Sequence, residues 1–110
     1  MKTKQEIDQF IDVALEAWSA GSFAAMTTPD SGTCNMDFVV LKMRHGSKKA
    51  MEILERVGLR AYMHKRGVLH VNSPFGGQAM RRTAAVEAIA KVFRDAALPE
   101  TEAYVYCLTD

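Results

Sequence analysis

Between Cys34 and Leu108 the chain alternates two hydrophobic periods in an order that few folds accommodate. Cys34–Arg44 is strand-like, with Phe38, Val39, Val40 and Leu41 in succession. Gly46–Ser47 then opens a helix that runs to Val57, with Ser47 placed as its N-cap and Gly58 as its C-cap. Leu59–His64 and Val68–Asn72 read as two strands joined by a Lys65–Arg66–Gly67 turn, the signal of a hairpin. Gln78–Ala96 is a second long helix, and beyond Pro99 lies a last strand, Glu102–Leu108. Strand, helix, strand, strand, helix, strand is the ferredoxin-like split βαβ pattern of an α+β domain. Right-handed crossovers close it into one antiparallel sheet, spatial order 4-1-3-2, with both helices on one face.

A further helix precedes this unit. Thr3 and Glu6 have capping-box spacing, and Gly21 stands where a helix Thr3–Ala20 would end. Ile7, Phe10, Ile11, Ala14, Leu15 and Trp18 share one apolar face. Because this helix lies outside the repeat, the expectation is that Phe10, Ile11 and Trp18 are buried on the open sheet face or on a partner subunit. The chain then divides into a helix (1–21), a loop (22–32) rich in turn formers, and a core (33–110), all within one domain spanning 1–110.

Composition excludes several classes. No apolar run approaches the roughly 18 residues of a membrane span, and MKTKQEIDQ is not a signal peptide. Two isolated cysteines without an export signal point to the reducing cytoplasm, where Cys34 and Cys107, expected on adjacent strands, stay reduced. The net charge of +1 hides an asymmetry. Residues 1–37 carry two Lys against six acids; residues 38–94 carry twelve bases against Glu52, Glu55 and Glu87; residues 95–110 carry four acids and no base. A basic middle between acidic ends either pairs internally or meets an acidic partner.

The junction Val68–Glu87 is the place where a local rule is broken. Gly76 and Gly77 precede a helix whose first turns carry Arg81 and Arg82, although a helix N-terminus disfavours cations by roughly 0.3–1 kcal/mol each. Backbone N–H groups and guanidiniums together suit an anion. The expected topology brings Asn35 and Asn72 to the same rim, so Asn35, Asn72, Gly76, Gly77, Gln78, Arg81 and Arg82 form a candidate ligand site. Turn residues gathering at strand ends are the alternative account of the same positions. At the opposite rim Lys42, Arg44, His45, Lys48, Lys49, His64, Lys65 and Arg66 collect. They are either a solvated basic face or an interface for nucleic acid or an acidic protein.

Strand alternation from Phe38 places Met36, Phe38 and Val40 under the helices with Leu69, Val71, Val105 and Cys107. Asn35, Asp37, Val39, Leu41, Arg60, Tyr62, His64, His70, Asn72, Tyr104 and Tyr106 then occupy the open face. RNA-recognition modules stack bases on such a face with aromatics from central strands. With Asp37, Val39, His70 and Asn72 expected there, that reading weakens. Asp37 beside His70 would be an acid–base pair for a small enzyme, or simply a hydrogen bond. No phosphate loop, HExxH or CxxC is present, so no catalytic residue, metal or cofactor is assigned.

Gly32–Thr33–Cys34–Asn35–Met36–Asp37 and Gly77–Gln78–Ala79–Met80–Arg81–Arg82–Thr83 resemble segments of a group of small, uncharacterised bacterial and phage-type proteins. Those carry GTCNFD near the first strand, GQAxRRT at the second helix and a tyrosine-containing C-terminal strand. The resemblance covers about residues 32–110, and Met36 stands where the group has an aromatic. The group has no assigned activity, so no functional residue carries over; the resemblance implies that the Cys34 and Arg82 motifs belong to one unit.

The expected function is a non-enzymatic binding protein. Its rim site would take an anionic small molecule such as a nucleotide, or an acidic protein segment. The alternative is a nucleic-acid or protein interaction module using the basic rim Lys42–Arg66. No membrane partner is expected, and a homodimer through the leading helix is the oligomer considered.

Overall fold

A computed structural model describes residues 3–29, 32, 37–75 and 79–107. Among these the elements are α1 (Lys4–Thr27), β1 (Phe38–Met43), α2 (Ser47–Val57), β2 (Arg60–Lys65), β3 (Val68–Asn72), α3 (Ala79–Ala96) and β4 (Thr101–Tyr106). The strands form one antiparallel sheet in the order β2-β3-β1-β4, the expected order read from the other edge. The architecture is α+β.

Helix α1 starts where the capping pair places it: Thr3 Oγ1 accepts from the Glu6 amide at 3.1 Å and its hydroxyl donates to Glu6 Oε1. It does not stop at Gly21, as expected, but runs on to Thr27 through residues placed in the loop 22–32. The reason is tertiary. Gly21 is buried, and a Cβ there would lie 2.9 Å from Ile89 Cγ1, so the missing side chain lets α1 and α3 touch. Ala24, Ala25 and Met26 then continue the helix with good formers. At its end Thr27 Oγ1 donates to the Phe23 carbonyl at 2.8 Å, satisfying a terminal acceptor.

The buried side of α1 is a row of mostly small residues, Phe10, Val13, Ala14, Ala17, Gly21 and Ala25. It packs on α3, where Phe10 meets Phe93 with ring centroids 5.8 Å apart, and on α2. The expectation that α1 covers the open sheet face therefore fails: the helix joins the other two on the helical side. Phe10 is 1% exposed and Ile11 half-buried, but Trp18 keeps 37% of its surface and only edges onto Phe75.

Helix α2 ends as read, with Gly58 at φ 107° donating to the carbonyls of Leu54 and Glu55, a left-handed closure that glycine adopts without strain. Its start differs. Gly46, not Ser47, is the N-cap; Ser47 is buried in the first turn and its Oγ accepts from the Gly67 amide at 3.3 Å. The hydroxyl ties α2 to the β2–β3 turn instead of capping its own helix.

Strand β1 corrects the expected faces. Val39, Leu41 and Met43 point into the core, with Val39 opposite Val71 and Leu41 opposite Leu69. Phe38, Val40 and Lys42 lie on the open face. Four successive apolar residues fit either parity, so the neighbouring strand decides. Leu69 and Val71 lie under the helices as read, and inward-facing partners must share their face.

Candidate functional site

Across the open face, one ring from each strand stands in a row. Tyr106 on β4 stacks on Phe38 of β1 at 5.3 Å, Phe38 on His70 of β3 at 4.4 Å, and His70 on His64 of β2 at 4.5 Å between centroids. Cross-strand pairing aligns them, with Phe38 opposite Tyr106 and Val40 flanked by His70 and Tyr104. Tyr62 approaches His70 edge-on, and its hydroxyl lies 2.8 Å from His70 Nδ1. Tyr62 and Tyr106 remain about half exposed, 49% and 50%.

A shallow groove of about 480 Å³ runs along this row, floored by Phe38, Val40 and Val68 and walled by Tyr104, His64 and Lys65. Lys42 Nζ sits 5.5 Å from the Tyr104 ring centroid, a cation over an aromatic face. Arg60, Tyr62 and His64 share the open parity of β2, where all three are exposed. Glu102, opposite Lys42 on β4, is the acid set against them. Burial of His70, and secondly the charge of His64, hold the His70 imidazole below its ordinary pKa of 6.5. The row is therefore built around a neutral, stackable ring.

The arginine rim takes another form. Arg81 and Arg82 are half-buried. Arg81 Nε donates to the Thr28 carbonyl at 3.1 Å, tying α3 to the end of α1. Arg82 Nε donates to the Asp37 carbonyl at 3.3 Å, and its terminal nitrogen reaches Asn72 Oδ1 at 3.5 Å. Of the predicted ligand set, Asn72 and Arg82 are thus brought together, while Arg81 turns toward the C-terminal end of α1. Asn35, Gly76, Gly77 and Gln78 lie outside the described residues, as does Cys34; its expected neighbour Cys107 is exposed.

Asp37 was expected beside His70 on the open face. Instead it is 3% exposed on the helical side, where its Oδ2 accepts from Thr83 Oγ1 at 2.9 Å. The two residues stand on opposite faces of the sheet, so the acid–base pair does not form. The cause is the same parity that turns Phe38 outward.

The basic far rim is partly neutralised from within the chain. Glu100 lies 3.4 Å from Arg44 and 3.7 Å from His45, and Lys49 reaches Glu52 at 4.0 Å, all well exposed. Lys42, Arg44 and Arg66 share a broad hollow with Glu100 and Glu102. Next to it a cavity of about 340 Å³, floored by Phe10, Met43 and Leu98, opens between Glu6 and Glu100. Among the described residues no three His, Cys, Asp or Glu side chains converge to hold a metal, and no helix is long and apolar enough to cross a membrane.

Sequence reasoning missed Phe38 and Val40 as open-face residues. The signal was Lys42, the one charge in β1: its outward parity carries Val40 and Phe38 with it. No family model matches the chain, and no curated protein or solved structure matches it either, so its chemistry rests on its own geometry.

Proposed function

We propose that this chain is a non-enzymatic, ferredoxin-like binding module of the cytoplasm whose open sheet face holds single-stranded nucleic acid. The observation that carries this reading is the row Tyr106–Phe38–His70–His64, which no helix among the described residues covers and which spans the two central strands as well as the edges. Rings stacked on one another leave their outer edges and the end faces of the row open. Tyr62, Tyr104 and Tyr106 supply the exposed area for unpaired bases. Stacking on an aromatic side chain contributes about 1–3 kcal/mol per base and tolerates any sequence, because every base has a π face. Lys42, Arg60 and Lys65 flank the rings and would meet the phosphates. An apolar protein ligand would find this face too charged, and a duplex presents no free base faces to it.

The anion site at the Arg81–Arg82 rim has less support. Both guanidiniums direct their Nε protons to main-chain carbonyls, which gives the pair a structural occupation.

Fluorescence anisotropy with a labelled oligonucleotide tests the proposal. Single strands should bind better than the matched duplex, with affinity falling as salt rises. Phe38→Ala and Tyr106→Ala should each weaken binding by about tenfold. Equal affinity for duplex, or binding indifferent to both substitutions, would overturn it. Nucleotide binding that is lost only on Arg82→Ala would instead favour the rim.

A further inference from the structure

We propose that the solvent face of α1 docks a basic amphipathic helix of a partner protein. Leu15, Trp18, Phe23 and Met26 are 51%, 37%, 70% and 81% exposed. Leu15, Trp18, Ser22 and Met26 follow one another at intervals of three, four and four residues, which on a helix is a single stripe. Phe23 lies beside it. This stripe is separate from the row that packs on α3; Trp18 edges onto Phe75, while Leu15, Phe23 and Met26 stay more than half exposed.

The charge around the stripe selects its occupant. Asp8, Asp12 and Glu16 descend at intervals of four into the same exposed face. No Lys or Arg occurs from Gln5 to Thr27, and the last turn carries no base. Among the described residues no ion pair engages Asp8, Asp12 or Glu16. The face is acidic in its first half and apolar in its second.

A second copy does not complement it. Two such helices laid parallel set carboxylate against carboxylate; laid antiparallel, they press Asp12 and Glu16 onto the partner copy's Phe23 and Met26, which desolvates charges without pairing them. Nucleic acid is repelled by the same acids. A helix with an apolar stripe and Lys or Arg in its flanking turns satisfies both halves, in the helix-in-groove manner of amphipathic ligands. This inference stands independently of the sheet face, which lies on the opposite side of the sheet from the helices.

Trp18 is the only tryptophan in the chain and belongs to the stripe, so it reports occupancy directly. The probe is a synthetic tryptophan-free helix of about five turns, leucine on one face and lysine on the other. Titrating it should blue-shift Trp18 emission saturably, and added salt should weaken the binding. Phe23→Ser with Met26→Ser, both at exposed positions, should cost at least about tenfold in affinity without changing the melting temperature. Asp12→Asn with Glu16→Gln should remove most of the salt dependence. The proposal is overturned by an equal response to a peptide with glutamate in place of lysine. A shift surviving the Phe23/Met26 double substitution, no saturable response, or a concentration-dependent Trp18 shift without peptide would each overturn it too, the last because it means self-association.

Discussion

Strand β1 serves two environments with one run of residues. On its covered side Val39 and Leu41 are fully buried among Leu69, Val71 and Ile89, where shape and volume are all that matter. On its open side Phe38, Val40 and Lys42 have rings as neighbours instead: His70, Tyr104 and Tyr106. Both faces bury surface, yet only one needs to. A core face stabilises by excluding water from aliphatic side chains. An aromatic face that remains half exposed retains unspent stacking surface, which is available to a ligand. The helical layer repeats the contrast within α1, whose Ala- and Gly-rich side meets α3 while Phe23 and Met26 meet water.

Substitutions on the two sides of β1 separate these roles. Leu41→Ala should cost about 3 kcal/mol in thermal or urea unfolding, because it leaves a cavity in the core. Phe38→Ala, three positions earlier and outward, should cost only about 1 kcal/mol, the scale of its ring contacts. It should nevertheless weaken nucleic-acid binding about tenfold, whereas Leu41→Ala, measured below its melting point, binds like the parent. If Phe38→Ala unfolds the chain as readily as Leu41→Ala, the open face is core, and the contrast fails.

A polar link to the covered face gives the intermediate effect. Arg82 fastens α3 to the Asp37 carbonyl and to Asn72, so Arg82→Ala should destabilise by about 1–2 kcal/mol with or without added phosphate. Unchanged stability without ligand, combined with loss of a phosphate-induced shift in the parent, would instead make that rim a binding site.

The smallest effect is a pH dependence confined to the open face. The folded chain holds His70 below its ordinary value of 6.5, so the unfolded chain takes up that proton first. The stability contribution of neutral His70 is therefore complete above about pH 6.5 and declines as pH falls through that value toward the folded pKa. Melting temperatures compared on either side of this window should drop less in His70→Phe than in the parent. An equal drop would place the titration elsewhere.

Strand order, the sequence of helices and strands along the chain and the inward parity of Leu69 and Val71 were legible because they rest on caps, turns and alternation. The capping pair Thr3–Glu6 and the Gly58 closure formed where their spacing placed them. Strand β1 misled for a stated reason. Asn35 and Asp37 are polar on one parity and Lys42 on the other, and the apolar run between them is silent. Pairing with Val71 resolved it, and Asp37 then found Thr83 of α3, a residue 46 positions away.

The sequence by itself determined which segments are strands and helices, and hence the order of the sheet, since period and turn chemistry are properties of neighbouring residues. Only the tertiary structure decided which face α1 covers, how far that helix runs and which side of β1 looks outward. Each of those depends on a partner distant in the chain: Ile89 against Gly21, Phe93 against Phe10, Val71 opposite Val39. A glycine reads as a stop until another helix needs the space its missing Cβ leaves. An apolar run between polar residues of opposite parity has no inside until its neighbour supplies one.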